Sequence, residues 1–572
     1  MGILKKRWII QPPLPKQKLL SLSRKLSLSP LFLQLLLNRG IDGENIRSFL
    51  HPCVDDLYDP FLMKGMDEAV TRLIQAIEKK EKVLIYGDYD VDGITATSLL
   101  LLFLRQVGLS AFYYIPHRQS EGYGLNRQAI DKMLRDQIQL IVTCDCGVSS
   151  LKEVEYAFSR DIEVIITDHH RVETVLPSWL TVLDPQQPDC SYPFKELAGV
   201  GIAFKLCQAV ALKLGLPSQS LLEYLDLVAL GTVADVVPLK EENRILVKLG
   251  LEQIQVSPCP GLRALINVSG LRGKKMNETH LGFTIAPPLN ACGRLSLAQK
   301  GVKLFLSSST EEVFSLARSL NRENRKRRSL QKLMCREAEE LLPPEKNKVI
   351  VVSHSNWHVG LLGLVASYLK EKYFRPALVF SLNGQIARGS ARSISGFPMF
   401  QALEKCQDLL LNFGGHKMAA GMTLYRDNIV FLEERLNSLA AETLSEKDVV
   451  SSLIIDARVD LEDLTESFVE ELKLLSPYGP ENPLPYLLAE EVYFSSSESI
   501  RRRVRLTVSS FSGKKDFPAV GFGFPGGIKK IPQGEKVEIV FVPQVREGQD
   551  DGIELRIKDF RGGRNGEIGQ KN

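Results

Sequence analysis

Three segments of the sequence place acidic or imidazole side chains directly after a run of apolar residues. The runs are VLIYG at 83–87, LIVTC at 140–144 and EVIIT at 163–167, each typical of a buried strand. The side chains that follow them are Asp88, Asp90 and Asp92, then Asp145, then Asp168, His169 and His170. Because ligands gather outside the carboxyl ends of the strands in an open parallel sheet, we expect these groups to converge in space.

Carboxylates packed this closely repel one another and raise one another's pKa values, and a divalent cation removes that conflict. Carboxylate oxygens with one or two imidazoles and no thiolate suit Mn²⁺ or Mg²⁺ better than structural zinc. Two such ions about 3.5–4 Å apart can activate a water and stabilise both oxygens of an in-line displacement at phosphorus. The pattern therefore predicts a two-metal site that hydrolyses phosphate esters.

Each motif alone has an ordinary structural explanation. A single Asp after a strand is commonly the N-cap of the next helix, and neighbouring histidines are commonly surface residues. The string from Asp88 also resembles the start of an EF-hand loop, but its twelfth position is Leu99 instead of the bidentate Glu. The coincidence of three such placements favours the metal site.

The segments around these motifs alternate between strand and helix patterns, which is typical of a parallel sheet covered on both faces. We expect helices from Met66 to Lys79, over 94–108 and over 359–371, and a further strand at 348–354. A long charged helix is predicted over 310–342, before Pro343 and Pro344. Loop-rich stretches are expected at 287–295, 384–396 and 412–421. After about residue 448, short alternating runs predict a small closed β-domain.

Composition sets broad limits on the class of protein. The 572 residues include 44% hydrophobic and 24% charged residues, with a net charge of +4 that is too small to indicate a partner. Basic residues cluster at 322–328 and at 501–505, which fits either solvated faces or phosphate contacts. Nine scattered cysteines favour reduced thiols. With no signal peptide or membrane-spanning run evident, we expect a soluble cytoplasmic protein.

The motifs YGDYDVDG, TCDCG, TDHH and GTVADVVPL, in this order, resemble those of the DHH phosphoesterase superfamily. The resemblance is closest to its single-strand-specific exonucleases and continues through PHRQSEGYGL at 116–125, residues 183–201 and APPLNACGRL at 286–295. ARGSARSISGF at 387–397 and GGHKMAAG at 414–421 are similar to the DHH-associated domain, and the C-terminal β-region to an OB-type domain. The implied fold is α/β: a parallel-sheet DHH domain, a long helix, a smaller α/β domain and an OB-like β-barrel.

The expected divisions follow from these patterns. They are an N-terminal helical segment (1–80), the DHH catalytic domain (81–309), the connecting helix (310–344), the DHH-associated substrate-binding domain (345–447), the OB-like nucleic-acid-binding domain (448–562) and a disordered tail (563–572).

The resemblance also implies roles for residues of the acidic cluster. The metal ligands that it implies are Asp90, Asp92, Asp145, His169 and Asp235, with Asp145 as the bridge between two ions of Mn²⁺ or Mg²⁺. His170 matches a histidine that faces the scissile phosphate, and Asp168 is expected to orient an imidazole. Some relatives carry a histidine where this chain has Tyr86, so Asp88 or water would complete the first metal's ligands.

The resemblance also implies residues that contact the substrate across a cleft from the metal ions. The expected residues are Arg388, Ser390 and Arg392, then Gly414, Gly415 and His416, with Asn290, Arg294 and His358. Guanidinium forks make bidentate contacts with phosphate, and small residues allow the backbone to approach it.

Taken together, the resemblance implies a metal-dependent exonuclease that degrades single-stranded DNA from the 5′ end to mononucleotides in recombination and repair. Single-strand-binding protein and a helicase are the implied partners, and no membrane is involved. Two alternatives share the fold: a hydrolase of pyrophosphate, cyclic dinucleotides or nanoRNA, and a scaffold that has lost its chemistry. The chain length argues against the first and the intact acidic set against the second.

Overall fold

The computed structural model describes residues 6–118, 120–172, 175–343, 347–500, 503–510, 512–513, 515–522, 535–546 and 552–562. Arg501 and Arg502 of the predicted basic strand, Pro344 and the predicted tail at 563–572 lie outside these residues. No helix within the described ranges is long and apolar enough to cross a bilayer.

Within the described residues, the N-terminal segment up to Leu50 forms one strand and three α-helices. They are β1 (Arg7–Ile10), α1 (Lys16–Leu26), α2 (Pro30–Asn38) and α3 (Asn45–Leu50). Helix α2 begins where the Ser29 hydroxyl accepts from the Phe32 amide and Pro30 occupies the first turn.

The catalytic lobe follows with a five-stranded parallel sheet in the order β3-β2-β4-β5-β6. Its elements are α4 (Met66–Glu78), β2 (Lys82–Gly87), α5 (Val91–Gln106), β3 (Ser110–Tyr114), α6 (Arg127–Arg135), β4 (Leu140–Cys144), α7 (Leu151–Phe158), β5 (Glu163–Thr167) and β6 (Thr181–Leu183). The predicted strands and the helices after Met66 and at 94–108 are thereby confirmed. Strands β2 and β4 are buried along almost their whole length, as strands covered on both faces must be.

A helical layer completes this lobe and leads out of it. It comprises α8 (Gly199–Lys213), α9 (Leu225–Asp235), α10 (Glu241–Gln255), α11 (Pro260–Val268), α12 (Glu278–His280), a π-helical turn (Leu281–Ile285), α13 (Ala286–Leu295), α14 (Gln299–Leu306) and the long α15 (Thr310–Glu340). The loop expected at 287–295 is wrong, because this stretch is α13. Its two prolines stand in its first turn, directly after the π-helical turn.

The second lobe has a mixed five-stranded sheet in the order β10-β11-β9-β8-β7. Its elements are β7 (Ile350–His354), α16 (Leu362–Tyr373), β8 (Ala377–Asn383), β9 (Ile386–Arg392), α17 (Met399–Glu404), β10 (Leu410–His416), β11 (Ala419–Tyr425) and α18 (Asn428–Thr443). The loops expected at 384–396 and 412–421 are wrong, since most of these residues lie in β9, β10 and β11. Gly, Ala and Ser disfavour strands when taken alone, but here pairing with β8 holds them in the sheet.

The C-terminal domain closes into a five-stranded barrel, because β14 pairs with both β15 and β17. Its elements are β12 (Ser452–Ile455), β13 (Ala457–Arg458), α19 (Glu466–Lys473), β14 (Leu487–Ile500), β15 (Arg503–Ser509), β16 (Asp516–Phe522), β17 (Lys536–Val545) and β18 (Ile553–Gly562). The α/β architecture with an OB-like barrel is confirmed. The N-terminal segment packs on this domain: Phe32 and Leu35 share a core with Phe468 and Phe541, and β1 pairs with β12.

Arg244 joins the catalytic lobe to the C-terminal domain. Its side chain on α10 is buried, and it donates to the carbonyl oxygens of Leu474 (2.9 Å) and Leu475 (2.8 Å). It also donates to the carbonyl of Phe49 (3.3 Å) and lies 3.6 Å from the centroid of that ring. One cation on α10 thus binds two other segments that are distant in sequence, around Phe49 and at 474–475.

Replacing Arg244 with Met removes every donor that this side chain supplies. The carbonyls of Leu474 and Phe49 lose its hydrogen bonds, and the Leu475 carbonyl keeps that of Asn482 Nδ2 (2.8 Å). Because each unsatisfied buried polar group costs about 1–3 kcal/mol, we expect the free energy of unfolding to fall by about 3 kcal/mol or more. Urea titration of the full chain measures this change. Arg263→Met on the exposed side of α11 is the matched control, and an equal loss in both variants would contradict the role given to Arg244.

Candidate metal centre

The acidic and histidine motifs meet at the carboxyl edge of the parallel sheet. Asp88 and Asp90 follow β2, Asp145 follows β4, and His169 follows β5. Asp235 arrives from another direction as the last residue of α9. Asp90 also caps α5, since its Oδ1 accepts from the Gly93 amide at 3.1 Å, so the N-cap explanation and the ligand role hold together.

The ligand atoms of these residues lie close enough together for several of them to bind the same metal ion. His169 Nε2 is 3.0 Å from Asp145 Oδ1, 3.6 Å from Asp235 Oδ2 and 3.9 Å from Asp92 Oδ2. Three groups have their ligand atoms within 4.8 Å of one another: Asp88, Asp90 and Asp145; Asp92, His169 and Asp235; Asp145, His169 and His170. Asp145 and His169 each belong to two of these groups.

The charge balance of the cluster fits divalent cations. Burial, and after it the repulsion of neighbouring carboxylates, raises the pKa values of Asp88, Asp92 and Asp145 well above their usual range. Within the described part of the chain, Asp88 Oδ1 and His169 Nε2 are buried without a hydrogen-bond partner, although the latter is close to Asp145. Unpartnered oxygen and nitrogen atoms amid like charges are the donor set that Mn²⁺ and Mg²⁺ accept.

Local backbone features hold the carboxylates in place. Asp145 has φ of 60°, a left-handed conformation that costs energy in a residue with a side chain and is found at functional sites. The Asp92 carboxylate accepts from the amides of Gly199 (2.6 Å) and Val200 (2.8 Å) at the beginning of α8. A Cβ on Gly199 would lie 2.8 Å from Asp145 Cβ and 3.0 Å from Asp92 Oδ2, so only glycine fits there.

His170 is oriented by Asp168. Asp168 Oδ1 is 2.7 Å from His170 Nδ1 and also accepts from the amides of His169 and His170. Burial is the largest single effect and lowers the pKa of His170. The hydrogen bond with Asp168 and the negative charges of Asp168, Asp235 and Asp88 together outweigh burial and raise the pKa to about 9. A contact missing from the sequence-based site is Tyr123, whose hydroxyl donates to the Asp145 carbonyl (3.2 Å) and lies 3.1 Å from His170 Nδ1. In the sequence, only the motif GYGL, which includes Tyr123, pointed to this residue.

Tyr86 does not enter the metal centre. Its hydroxyl donates to the Gly124 carbonyl at 2.9 Å, and its ring stacks on Tyr114 with centroids 5.4 Å apart. Asp88 groups instead with Asp90 and Asp145, which makes it available to complete the first set of ligands.

A group of arginines, the cleft arginines, lies beside the acidic cluster and consists of Arg118, Arg294, Arg327 and Arg392. Arg294 donates to the Gly360 carbonyl of the second lobe at 3.2 Å. Burial, followed by repulsion from Arg118 and Arg327, lowers its pKa to about 10, while Asp90 acts in the opposite direction. Burial and then Arg118 also lower the pKa of Arg392. Arg118 was not among the predicted site residues, although PHRQ precedes the GYGL signal.

The other predicted substrate residues of the second lobe share one sheet face, except Gly415, which is in the row of Ala391 on the opposite face. Arg388, Ser390 and Arg392 alternate along β9, and through β11 the register sets Gly414 in the row of Ser390 and His416 in the row of Arg392. A Cβ on Gly414 would meet nothing within 4 Å, whereas Gly415, with φ of 142°, has no space for one. The structure thus brings these residues together on strands.

Asn290 and His358 lie at the two sides of the cleft. Asn290 Oδ1 accepts from the Val91 amide at 3.3 Å and so contacts the first metal loop. His358 Nδ1 accepts from the Gly360 amide at 3.1 Å, next to the carbonyl that Arg294 binds.

Gly199→Ala is expected to weaken metal binding. The added methyl collides with Asp92 and Asp145, and displaced supporting groups typically cost about 10–100-fold in metal affinity. Calorimetric titration with Mn²⁺ measures the change. Gly201→Ala, whose methyl meets only the flexible side chain of Leu197, at 3.2 Å, is the control, and equal affinity in both variants would contradict the geometry.

Comparison with known proteins agrees with these features. Three family models match: the DHH family N-terminal domain (residues 82–232), the DHHA1 domain (346–443) and the RecJ OB domain (455–559). The single-stranded-DNA-specific exonuclease RecJ of Bacillus subtilis is 41% identical over 565 residues, 97% of this chain and 71% of that protein. The Escherichia coli protein of the same name is 36% identical, over 80% and 83% of the two chains.

Solved structures of RecJ proteins also match this chain. RecJ from Thermus thermophilus in complex with Mn²⁺ superposes with a TM-score of 0.84 at 29% identity, covering 97% of this chain and 79% of that one. The same protein has been solved with Mg²⁺, with a TM-score of 0.79 at 28% identity over 97% of this chain and 78% of that one. With the acidic motifs, both lobes and the barrel all matched, the chain belongs to the RecJ family of DHH phosphoesterases.

Proposed function

We propose that this protein is a metal-dependent exonuclease that degrades single-stranded DNA from the 5′ end to mononucleotides and acts in recombination and repair. The observation that carries the proposal is the placement of the cleft arginines directly beside the acidic cluster. The names of the curated relatives, single-stranded-DNA-specific exonucleases, support the substrate. By family membership we also propose single-strand-binding protein and a helicase as partners, and the cytoplasm as the location.

The proposed ligands divide into two sets. Asp88, Asp90 and Asp145 would hold one ion, and Asp92, Asp145, His169 and Asp235 would hold the other. When bound, the two ions supply Lewis acidity, which lowers the pKa of a water and offsets charge on the phosphoryl oxygens.

The chain's own residues position the scissile phosphate. With Nδ1 of His170 engaged by Asp168, its Nε2 is the nitrogen left to contact a phosphoryl oxygen. The same hydrogen bond favours the cationic imidazole, which offsets the negative charge of the phosphate. The Tyr123 hydroxyl lies 3.1 Å from the same Nδ1 and further limits rotation of the ring.

The cleft arginines account for the attack on a chain end. Guanidinium groups that repel one another are stabilised by an anion, just as the carboxylates are by cations. A terminal 5′-phosphate carries more negative charge than an internal phosphodiester and can accept bidentate hydrogen bonds from several arginines. With that phosphate bound by the arginines, the first phosphodiester bond reaches the neighbouring acidic cluster, and hydrolysis releases one nucleotide.

A time course on single-stranded DNA labelled at either end tests the activity. With Mn²⁺ or Mg²⁺ we expect immediate release of labelled mononucleotide from the 5′ end alone, no release with chelator, and at least a thousandfold lower rate for Asp145→Asn, since about 4 kcal/mol of transition-state stabilisation is lost. A ladder of internal cuts would contradict the exonuclease. Hydrolysis of dinucleotides but of no longer strand would favour the small-molecule alternative.

Arg392→Ala tests the recognition of the strand's end. Loss of a charge-assisted hydrogen bond of about 1.5–3 kcal/mol predicts a KM about 10- to 150-fold higher for strands with a 5′-phosphate. We expect little change for strands with a 5′-hydroxyl, and none for the control Arg426→Ala on the exposed surface of the same lobe. An equal rise for both kinds of strand would show that Arg392 does not bind the terminal phosphate.

A further inference from the structure

A continuous helical segment, residues 278–295, links the C-terminal domain to the metal centre. At its beginning, Glu278 Oε2 accepts from Ser476 Oγ of the C-terminal domain at 3.1 Å. In its π-helical turn, a Cβ on Gly282 would lie 3.5 Å from Val233 on the last turn of α9, two residues before Asp235. Its other end carries Asn290 and Arg294.

One face of this segment is partly exposed. Phe283, Pro287, Asn290 and Arg294 follow one another at spacings of four, three and four residues, which places them on one side of a helix. Residues between them, such as Leu281, Ile285 and Leu289, are fully buried. Phe283 is 75% exposed and lies about 10 Å along the axis from Asn290, at 1.5 Å per residue.

The place of this aromatic ring distinguishes it from an ordinary exposed apolar residue. Isolated surface phenylalanines need no explanation. Phe283, however, stands on a π-helical turn, an irregularity that is frequent at functional sites. It also occupies the face that reaches the first metal loop through Asn290 and the cleft arginines through Arg294.

A second segment, residues 236–240, also runs from the metal centre to the C-terminal domain. After Asp235, Val236 is 65% exposed and has φ of 64°, which is costly for a β-branched residue. The chain then joins the C-terminal domain, where the Leu239 amide donates to the Pro480 carbonyl at 2.9 Å and Lys240 pairs with Glu481 at 2.7 Å. Both segments between the metal centre and this domain therefore present an apolar side chain to solvent.

We propose that Phe283 stacks on a nucleobase of the strand that remains bound after each cleavage. This inference rests on the proposed function. Arg294 and Phe283 lie at opposite ends of one helical face, and the first metal loop meets that face between them at Asn290. A strand whose terminal phosphate is on the arginines and whose scissile phosphate is at the acidic cluster must continue past Phe283 towards the C-terminal domain. Because every base has a π-face, stacking there is independent of sequence.

Three variants separate stacking from simple apolar contact. Phe283→Ala and Phe283→Leu are expected to raise KM on a 5′-phosphorylated 20-nucleotide strand about 5- to 150-fold with kcat nearly unchanged, the range for one base–aromatic stack. Phe283→Trp should restore the wild-type KM. Phe431→Ala removes another exposed phenylalanine, on α18 of the second lobe, and should change nothing.

A dinucleotide substrate separates the possible failures. It is too short to reach from the cleft arginines to Phe283, so kcat/KM for it should be equal in wild type and Phe283→Ala. If the wild type hydrolyses long strands and Phe283→Ala has the same KM for them, the stacking role is overturned. Wild-type kinetics of Phe283→Leu would overturn it too, and so would a defect of Phe283→Ala on the dinucleotide as large as its defect on long strands. Absence of wild-type activity on both substrates would instead reject the proposed function.

Fluorescence gives an independent measurement of stacking. The inactive variant Asp145→Asn is mixed, with Mn²⁺, with strands that carry 2-aminopurine at successive positions from the 5′ end. We expect binding to quench the 2-aminopurine fluorescence at a single position, which lies beyond the first nucleotide. That quenching should disappear in the double variant Asp145→Asn, Phe283→Ala. Quenching that is the same with and without Phe283 would overturn the proposal.

Discussion

The mutual repulsion of buried carboxylates at one sheet edge is the constraint on which the rest of this structure depends. Asp88, Asp92 and Asp145 are buried within contact distance of like charges, and burial raises their pKa values. The fold offsets part of this cost with the amides at the beginning of α8, which donate to Asp92. The remainder requires cations, so the acidic cluster reaches its stable form by binding metal.

Positive charge beside this cluster is under the same constraint. Arg118 and Arg294 come from the catalytic lobe, Arg327 from α15 and Arg392 from the second lobe. The cleft arginines repel one another as the carboxylates do, and the hydrogen bond from Arg294 to the Gly360 carbonyl holds Arg294 itself at the lobe boundary. A phosphate backbone is the natural complement to both clusters, because its oxygens bind guanidinium groups directly and the carboxylates only through metal ions. Substrate binding and catalysis are therefore two consequences of one charge arrangement.

The parts of the fold that depend on local patterns were predictable from the sequence. Buried strands β2, β4 and β5 are continuous apolar runs, and their ends located the acidic cluster without knowledge of the tertiary structure. Strands β9, β10 and β11 were expected as loops, since Gly, Ala and Ser disfavour strands unless a neighbour such as β8 supplies the pairing. Tyr123 and Arg118 were missed for a related reason: their roles come from contacts with His170 and Arg294, which only the folded chain creates.

The packing of the N-terminal segment shows how distant parts of the chain control the site. Residues 7–50 contact the C-terminal barrel through a shared core, and Arg244 binds both to α10. Helix α10 packs against α9, whose last residue is Asp235, so a displacement of the barrel would be transmitted towards a proposed metal ligand. The positions of the barrel and of the metal centre are thus linked through the same pair of helices. If the barrel binds the polymer substrate, as the sequence predicts, these helices would determine the register in which the strand meets the acidic cluster.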